Sequence, residues 1–324
     1  MKKKILVTGG AGYIGSHMAR DLVEAGYAVL VFDNLSTGHK RLVPRGADFM
    51  KGDLRNREDI KKAFEKHSID AVMHFAASIV VPESVAHPTD YYENNVLASI
   101  HLLKMMLRYK VKYLIFSSTA ATYGEPKHIP VNETDETVPT SPYGQSKLMF
   151  EKILHDTAVS HGLRYVSLRY FNACGAHPSG TLGPLKKNET LLIPNILKAA
   201  KNKNARLTIF GDDYPTPDGT CIRDYVHVCD LCRAHLLALK KLKKGMTNGI
   251  FNLGTQKGYS VKEVLRAAEK VIGKKIPVKI VGRRPGDPSK IVASTKKARR
   301  LLGWKPEMDL CQIIRTAWEW EKSL

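Results

Sequence analysis

Two side chains that could act together in proton transfer lie four residues apart, Tyr143 and Lys147 in the segment SPYGQSKL. If this segment is helical, residues i and i+4 lie one turn apart on the same face, so the phenol and the ammonium can meet. A free tyrosine has a pKa of about 10 and is a poor base at neutral pH, but a neighbouring ammonium favours the phenolate. The spacing predicts a tyrosine base activated by a lysine; the alternative is a half-exposed pair on a surface helix.

Hydroxyl groups follow an apolar run in the segment KYLIFSSTAATYG, where they belong to Ser117, Ser118 and Thr119. The run is typical of a strand in a parallel sheet, and such sheets bind ligands at the carboxyl ends of their strands. We expect one of these hydroxyls to hold a substrate alcohol against the phenolate.

The elements that would position these groups alternate between short apolar strands and amphipathic helices through the first half of the chain. This alternation predicts an α/β fold with a doubly wound parallel Rossmann sheet. After Asn172 the pattern changes to a loop (residues 175–190), short strands and further helices, which predicts a smaller, discontinuous C-terminal α/β substrate domain. We expect a dinucleotide-binding domain at 1–172 plus about 227–255, and the substrate domain at about 173–226 plus 256–324.

A glycine-rich loop, TGGAGYIGSH, follows the first predicted strand and leads into a helix. Gly9, Gly12 and Gly15 would let the backbone turn tightly and approach a pyrophosphate at the helix start. Asp33 ends the second strand, where a carboxylate accepts from a ribose diol and repels a 2′-phosphate, so NAD is favoured over NADP. The alternative is an ordinary turn with Asp33 as a cap. Asp53, in GDLRN, is either an adenine contact or a turn residue.

Composition excludes several classes of protein. The chain of 324 residues has 43% hydrophobic and 25% charged residues, as expected of a globular protein with a sizeable core. Because no apolar run approaches the roughly 20 residues that span a bilayer, we expect no membrane association. The net charge of +20 would suit nucleic acid, but the basic residues are spread over helical segments without interleaved aromatics. A solvated surface or an anionic small ligand is favoured, and no nucleic-acid partner is expected.

The cysteines of the chain are Cys174, Cys221, Cys229, Cys232 and Cys311. Because they are few and odd in number, they indicate reduced thiols and a cytoplasmic protein. Cys229 and Cys232 form a CxxC pair flanked by His227 and His235, which raises the question of a zinc or redox site. A structural zinc site needs four ligands and a second CxxC is absent, so buried or partly buried thiols are favoured and no metal is expected.

Motifs along the whole chain resemble those of the extended short-chain dehydrogenase/reductase family. In the first half they are TGGAGYIGSH, FDNLS, GDLRN, HFAA, YYENNV, FSSTAATYG, SPYGQSKL and RYFNACGAHPSG. In the second half they are LTIFGDDYPTPDGTCIRDYVHVCDL, FNLG and RRPGD. The glycine and Tyr–Lys motifs mark the superfamily, whereas YFNACGAHPSG and GDDYPTPDGTCIRDY are specific for its nucleotide-sugar epimerase branch.

The resemblance implies an isomerase that inverts carbon 4 of a UDP-hexose, interconverting UDP-galactose and UDP-glucose through a transient 4-keto sugar. It implies a tightly held NAD that is used and restored in each turnover. Tyr143 would take the proton of the 4-hydroxyl while a hydride leaves carbon 4. Lys147 would lower the pKa of Tyr143 and form a hydrogen bond with the nicotinamide ribose. The positive charge of the nicotinium ring would also favour the phenolate. Thr119 would complete the catalytic triad.

The resemblance also implies two sets of binding residues. The expected NAD contacts are Gly9, Gly12, Tyr13, Ile14, Gly15, Asp33, Asn34, Leu35, Ser36, Thr37, Gly38, Asp53, Leu54, Phe75, Ala76, Ala77, Asn94, Tyr143, Lys147 and Phe171. The expected UDP-sugar contacts are Thr119, Tyr143, Asn172, Leu191, Leu192, Thr208, Ile209, Phe210, Arg223, Arg284 and Asp287. Guanidinium forks match phosphate oxygens, which suits the two arginines to the pyrophosphate; the alternative for each is a surface salt bridge.

Several departures from the family pattern bear on the cofactor or the substrate. Ile79 stands where many relatives carry a lysine or a polar residue, so one cofactor contact of the family is not expected here. Leu191 replaces an Asn or His near the sugar. Ile291 stands where relatives have Tyr or Cys, which leaves acceptance of N-acetylated sugars open. Ala120 and Ala121 replace the Asp–Glu pair of nucleotide-sugar 4,6-dehydratases, so dehydration is disfavoured.

Other functions remain open from the sequence. An epimerase of UDP-N-acetylglucosamine, UDP-glucuronate or UDP-xylose would carry the same motifs, and a non-catalytic NAD-binding regulator would not need the triad. From the family we expect a homodimer through two long helices, at 89–109 and 143–161, that pair into a four-helix bundle.

Overall fold

The computed structural model describes residues 3–185, 190–202, 204–284 and 287–324. Parts of the predicted loop at 175–190 and of the RRPGD motif at 283–287 lie outside these residues. The strands are β1 (Lys4–Thr8), β2 (Ala28–Asp33), β3 (Asp48–Lys51), β4 (Ile69–His74), β5 (Tyr113–Thr119), β6 (Arg164–Tyr170), β7 (Asn172–Cys174), β8 (Leu207–Phe210), β9 (Ile222–His227), β10 (Gly249–Leu253), β11 (Gly258–Ser260), β12 (Val278–Val281) and β13 (Lys290–Ile291).

The helices alternate with these strands. They are α1 (Tyr13–Glu24), α2 (Arg57–Lys66), α3 (Val81–Ala86), α4 (Pro88–Tyr92), α5 (Ala98–Arg108), α6 (Pro142–His161), α7 (Leu192–Lys201), α8 (Val228–Lys243), α9 (Val261–Ile272) and α10 (Leu310–Ser323). Short 3₁₀ turns lie at Lys40–Leu42 and Ala120–Thr122, and π-helical turns at Glu93–Leu97 and Ala298–Leu302.

Seven of the strands within the described residues form one sheet in the order β10-β6-β5-β4-β1-β2-β3. The pairs β1–β2, β2–β3, β1–β4 and β4–β5 are parallel. The order of strands reverses direction between β1 and β4, and in open α/β sheets this switch point opens a crevice at the carboxyl ends of the strands. The predicted α/β class with a doubly wound sheet is confirmed, and β10 joins the sheet beside β6.

The core around this sheet explains why its strands are nearly continuous apolar runs. Leu6, Val72 and Leu114, on three neighbouring strands, are at most 1% exposed, and they pack in one cluster with Leu102 and Phe150 of the covering helices. Strands covered on both faces by helices need apolar side chains in both directions.

The helix that carries the Tyr–Lys pair begins and ends with residues suited to those positions. The Ser141 hydroxyl caps the start of α6 by accepting from the Gly144 N–H, and Pro142 occupies the first turn. Gly162 ends the helix with a left-handed φ of 67°. These local signals fix the register that places Tyr143 and Lys147 one turn apart.

The helix expected at 89–109 has an irregular start. It consists of α4, the π-helical turn at Glu93–Leu97 and α5. The Ser99 hydroxyl, at the end of this turn, donates to the Asn95 carbonyl oxygen at 2.6 Å. A single regular helix was the simpler prediction, and the extra residue per turn is not visible in the apolar spacing.

A second group of elements has its own core. Helices α7, α9 and α10 pack around residues such as Ile196, Val264 and Ile314, none of which is exposed. A small sheet has the order β11-β9-β13, with β7 also paired to β9, and β8 pairs with β12.

Contacts divide the chain into two compact units. The first unit comprises Met1–Gly124, Thr137–Arg169 and Cys232–Phe251, and the second comprises Glu125–Glu136, Tyr170–Leu231 and Asn252–Leu324. Each unit therefore uses separated segments of the chain. The assignment of NAD to one domain and the UDP-sugar to the other remains a prediction. Within the described residues, no helix is long and apolar enough to cross a membrane.

Candidate active site

Lys147 is anchored between α6 and β5. Its side chain is 3% exposed, and its Nζ donates to the Ser117 carbonyl oxygen at 2.9 Å. The same Nζ lies 4.9 Å from the centre of the Phe116 ring. Burial lowers the pKa of Lys147 to about 7, and the negative charge of Glu151 opposes this fall. The lysine is thus held in one place, with its charge sensitive to nearby groups.

Tyr143 is half-buried on the first turn of α6, and its hydroxyl is hydrogen-bonded to the Thr119 side chain. Burial raises the pKa of Tyr143, and the hydrogen bond with Thr119 opposes the rise. The expected lowering of the Tyr143 pKa by Lys147 is therefore not found, because desolvation of the phenolate has the larger effect. Thr119 Oγ1 also accepts from the Ala121 N–H at 3.1 Å, which fixes its orientation.

Ser117 and Ser118, at the same end of β5, make different contacts from Thr119. The Ser118 hydroxyl donates to Glu151 Oε1 at 2.5 Å within the core. Lys147 contacts Ser117 through the backbone carbonyl. Among the three candidates, Thr119 is the one that bonds to Tyr143.

The glycine loop has the shape that close approach of a pyrophosphate requires. A Cβ on Gly9, whose φ is +69°, would lie 2.6 Å from the Ala76 nitrogen, and a Cβ on Gly15 would lie 2.2 Å from the Gly9 oxygen. A Cβ on Gly12 would meet only the Gly9 oxygen, at 3.2 Å. Gly9 and Gly15 thus let β1, α1 and the segment after β4 pack together, while Gly12 leaves a cradle open that a side chain would fill.

The start of α1 fits a bound phosphate group. Gly12 is the N-cap and supplies no side-chain hydrogen bond, and the first turn of α1 contains no acidic residue. The first N–H groups of the helix therefore face no competing carboxylate of that turn, and a helix N-terminus favours anions.

Asp33 ends β2 beside this loop. Its carboxylate accepts from the Ala11 N–H at 3.0 Å and from the Leu35 N–H at 2.8 Å. It is 8% exposed, and a Cβ on Gly38 would lie 2.9 Å from its Oδ1. The backbone donors fix the carboxylate and leave lone pairs for a ribose diol. Together with the Gly12 cradle, these residues fit NAD and disfavour a 2′-phosphate.

Asp53 is engaged by protein groups. Its carboxylate pairs with Arg55 at 2.7 Å, and Asn34 Nδ2 donates to it at 2.9 Å. These bonds, first of all the one from Arg55, hold the pKa of Asp53 well below its usual range. The interpretation of Asp53 as a turn residue therefore accounts for its side chain, and a cofactor role for the residue remains a prediction.

The remaining expected NAD contacts follow the strands of the first unit, with one exception. Asn94 Nδ2 donates to the Ser78 hydroxyl at 3.0 Å, near the segment after β4. Phe171 lies in the second unit, where its N–H donates to the Leu253 carbonyl oxygen at 3.1 Å. The residues at the carboxyl ends of β1 to β4 or in the segments that follow them are Tyr13, Ile14, Asn34, Leu35, Ser36, Thr37, Gly38, Leu54, Phe75, Ala76 and Ala77.

The second unit brings four expected UDP contacts into two pairs. Arg223, on β9, donates from Nη2 to Asp287 Oδ1 at 2.6 Å. The guanidinium carbon of Arg284 lies 3.7 Å from the centre of the Phe210 ring. Burial raises the pKa of the Cys221 thiol, and Arg223, Asp287 and Arg284 all act on it electrostatically. The Cys221 thiol is thus within electrostatic range of Arg223, Asp287 and Arg284.

The other expected substrate contacts lie elsewhere on this unit. Asn172 Nδ2 donates to the Asp224 carbonyl oxygen at 2.9 Å, which connects β7 to β9. Leu191 and Leu192 are at the start of α7, and Thr208 and Ile209 belong to β8. The roles of these residues in substrate binding remain predictions.

The sequence did not predict a hydrogen-bonded network of three residues near the Tyr–Lys pair. Glu151, Arg169 and Ser118 form a hydrogen-bonded network in the core behind Lys147. The position of Glu151, one turn after Lys147, was a signal that the sequence already contained. The partner Arg169 comes from β6 and has no local signal.

The CxxC cysteines show no metal-binding arrangement. Cys232 is buried and Cys229 is half-buried, and neither is part of a disulfide among the described residues. The residues that the structure describes contain no group of three or more His, Cys, Asp or Glu side chains that could hold a metal ion.

Comparison with known proteins defines the class. A sequence profile of the NAD dependent epimerase/dehydratase family matches residues 5–254. The chain belongs to this family.

Individual relatives narrow the comparison. The chain is 50% identical over 320 residues to a UDP-glucose 4-epimerase of Lacticaseibacillus casei, covering 98% of this chain and 97% of that protein. A crystal structure of a UDP-glucose 4-epimerase superposes with a TM-score of 0.97 at 46% identity, covering 99% and 98% of the two chains. The UDP-glucose 4-epimerase of Brucella ovis in complex with NAD superposes with a TM-score of 0.93 at 46% identity, covering 98% and 97%.

Proposed function

We propose that this chain is a UDP-glucose 4-epimerase, an isomerase that interconverts UDP-galactose and UDP-glucose with NAD as its resident cofactor. The observation that carries the proposal is the joint placement of Tyr143, Thr119 and Lys147 at the end of β5 and the start of α6. The relatives named above, similar along nearly the whole chain, have this activity in their names.

The first unit holds the cofactor in this proposal. The N–H groups at the start of α1 and the open space beside Gly12 receive the pyrophosphate, and Asp33 accepts from the adenosine ribose. Bound NAD would supply a hydride acceptor for the oxidation of sugar carbon 4 and a hydride donor for its reduction.

Tyr143 is the proton acceptor and donor. It removes the proton of the 4-hydroxyl as the carbon is oxidised, and it returns that proton when the carbon is reduced. Its raised pKa means that the phenolate needs a neighbouring positive charge. Lys147, fixed by the Ser117 carbonyl, supplies one such charge when protonated. Thr119 bonds to Tyr143 and orients the sugar alcohol.

Inversion requires that the 4-keto sugar present its other face before reduction. We propose that the UDP part stays bound while the sugar turns about the pyrophosphate linkage. In the second unit, Arg223 and Arg284 bind the pyrophosphate, Asp287 accepts from the uridine ribose and Phe210 lies beside the uracil. The salt bridge between Arg223 and Asp287 holds both side chains in position before the substrate arrives.

The sugar preference depends on the size of the pocket. Ile291 is 8% exposed and lies in register with Arg223 on the neighbouring strand. We propose that its bulk disfavours N-acetylated sugars. Alanines at 120 and 121 provide no acid–base pair for a dehydratase reaction.

We also propose that the enzyme acts in galactose metabolism in the cytoplasm, as a homodimer. An exposed apolar face on the helices of the first unit supports the dimer. Leu97 is 46% exposed and Met149 is 38% exposed. They border a shallow cavity of about 360 Å³ that is also lined by Tyr92, Glu93, Val96 and Ile100.

The test is turnover by the purified protein without added cofactor. We expect UDP-galactose to yield UDP-glucose, and NAD to remain with the protein through desalting. Tyr143→Phe should abolish turnover and keep the NAD. Tyr109→Phe is the matched control, because Tyr109 packs against Phe64 away from this site. Full activity of Tyr143→Phe, or no turnover by the wild type with NAD supplied, would refute the proposal.

A further inference from the structure

Behind the Tyr–Lys pair, a buried carboxylate is held by groups from two strands. Glu151, on α6, is 3% exposed and lies one turn after Lys147. Its Oε1 accepts from the Ser118 hydroxyl at 2.5 Å and from Arg169 Nε at 3.1 Å, and its Oε2 accepts from Arg169 Nη2 at 2.6 Å. The carboxylate therefore has a single fixed position.

Arg169 forms a two-point ion pair with this carboxylate. It is 3% exposed on β6, and its guanidinium carbon lies 4.7 Å from the centre of the Tyr123 ring. A two-point bond between a guanidinium and a carboxylate is charge-assisted and fixes the geometry of the pair. Tyr165, a further titratable group that Glu151 acts on, stays a neutral phenol because burial, and then Glu151, raises its pKa.

In the part of the chain that the structure describes, Lys147 contacts the Ser117 carbonyl and the Phe116 ring on β5. Glu151 on its own helix and His74 on β4 interact with it electrostatically. Burial, and then Lys147, lowers the pKa of His74 to about 3, so this imidazole is neutral.

Burial and Glu151 act on Lys147 in opposite directions. Burial lowers the pKa of Lys147 to about 7, and Glu151 is the group that opposes this fall. A neutral amine at this position would give no support to a phenolate.

We propose that Glu151 is a positioning residue whose carboxylate, fixed by Arg169 and Ser118, keeps Lys147 in the ammonium form that the reaction uses. The inference deepens the proposed function and rests on it for the role of Lys147. In this proposal, the buried ion pair of Glu151 and Arg169 controls the charge of Lys147, which lies next to the Tyr143 base.

The direct test follows the protonation of Lys147 itself. Protein with ¹³Cε-labelled lysine is titrated by NMR with NAD bound, and the Lys147 resonance is identified by its absence in Lys147→Met. In Glu151→Gln we expect the titration midpoint to fall by about one pH unit, since a nearby opposite charge shifts a pKa by about 1–3 units and Arg169 screens part of the effect of Glu151.

Two further variants keep the test interpretable. Glu151→Gln leaves Arg169 as an unpaired buried charge, which strongly destabilises the folded state. The double variant Glu151→Gln/Arg169→Met has no unpaired charge and should show a lower midpoint as well. Ser118→Ala removes a hydrogen bond and no charge, so its Lys147 midpoint should equal that of the wild type. An unchanged midpoint in a folded variant without the Glu151 carboxylate would overturn the inference.

Activity provides a separate measure. With a midpoint near 7 lowered by one unit, the charged fraction of Lys147 falls about five-fold at pH 7 and about two-fold at pH 6. We therefore expect the loss of kcat in the Glu151 variants to shrink as the pH is lowered, with KM unchanged. A loss that is equal at both pH values indicates a structural defect and counts against the inference. A shifted midpoint without any loss of kcat supports the role of Glu151 and refutes the proposed role of Lys147.

Discussion

Gly12→Ala separates binding of the cofactor from folding of the loop. The φ of Gly12 is −84°, which alanine adopts without strain. The added Cβ would meet only the Gly9 oxygen, at 3.2 Å, so a small adjustment accommodates it in the free protein. In the proposed complex with NAD, the same methyl group would occupy space that the pyrophosphate needs.

The size of the effect follows from overpacking. Forcing an extra methyl group into a close-packed contact costs about 1–3 kcal/mol. At 1.4 kcal/mol for each factor of ten, the Kd for NAD should rise about 5- to 150-fold. The melting temperature of the cofactor-free protein should change little, because the clash arises only with the ligand.

Isothermal titration of NAD into cofactor-free protein measures the affinity, and a thermal melt measures the fold. Gly162→Ala is the matched control. Gly162 has a φ of +67°, with no atom within 4 Å of its added Cβ. That alanine should destabilise the fold by about 1–2 kcal/mol and leave the NAD affinity unchanged. Wild-type affinity in a folded Gly12→Ala protein would refute the cradle.

Three further outcomes test other parts of the structure. Arg169→Met should destabilise the protein by about 3–5 kcal/mol in urea unfolding, because it leaves Glu151 as a lone buried charge. Arg223→Ala should raise the KM for UDP-galactose about 10- to 150-fold through the loss of a charge-assisted bond of about 1.5–3 kcal/mol, while the NAD content stays the same. The His74 imidazole, with a folded pKa of about 3 against about 6.5 unfolded, contributes stability above pH 6.5 that is lost as pH falls towards 3. Between pH 6.5 and 5 this loss is about 2 kcal/mol and should be absent in His74→Gln.

Each of these has its own contrary result. Equal urea midpoints for Arg169→Met and the wild type would show that the pair is not a buried charge contact. An unchanged KM in Arg223→Ala would place the pyrophosphate elsewhere. The same acid sensitivity in His74→Gln and the wild type would mean that His74 does not carry the pH dependence, despite its bonds to Thr8 at 2.7 Å and Ser99 at 2.8 Å.

Much of the fold was predictable because its signals are local. Apolar runs, glycines and caps lie within a few residues of the elements that they define, as Ser141 and Gly162 show for α6. The Tyr143–Lys147 spacing is equally local. The π-helical turn at Glu93–Leu97 had no such signal, since it depends on how neighbouring residues pack.

The polar partners were the part that sequence reasoning missed. Arg223 pairs with Asp287, 64 residues away. From the sequence, Arg223 was a pyrophosphate contact or part of a surface salt bridge, and Asp287 was a contact of the uridine ribose. Asp53 was an open choice until its bonds to Arg55 and Asn34 were seen. Such bonds depend on which side chains the fold brings together, and the spacing of residues along the chain does not show which these are.

The sequence alone determined the α/β class, the dinucleotide loop and the spacing of a tyrosine and a lysine on one helix, because these depend on periodicity and on neighbours in the chain. Only the tertiary structure decided the charge state around that pair. Burial raises the pKa of Tyr143 and lowers that of Lys147, and Glu151 acts against the second shift. Desolvation and fixed partners arise from packing, and packing exists only once the chain has folded.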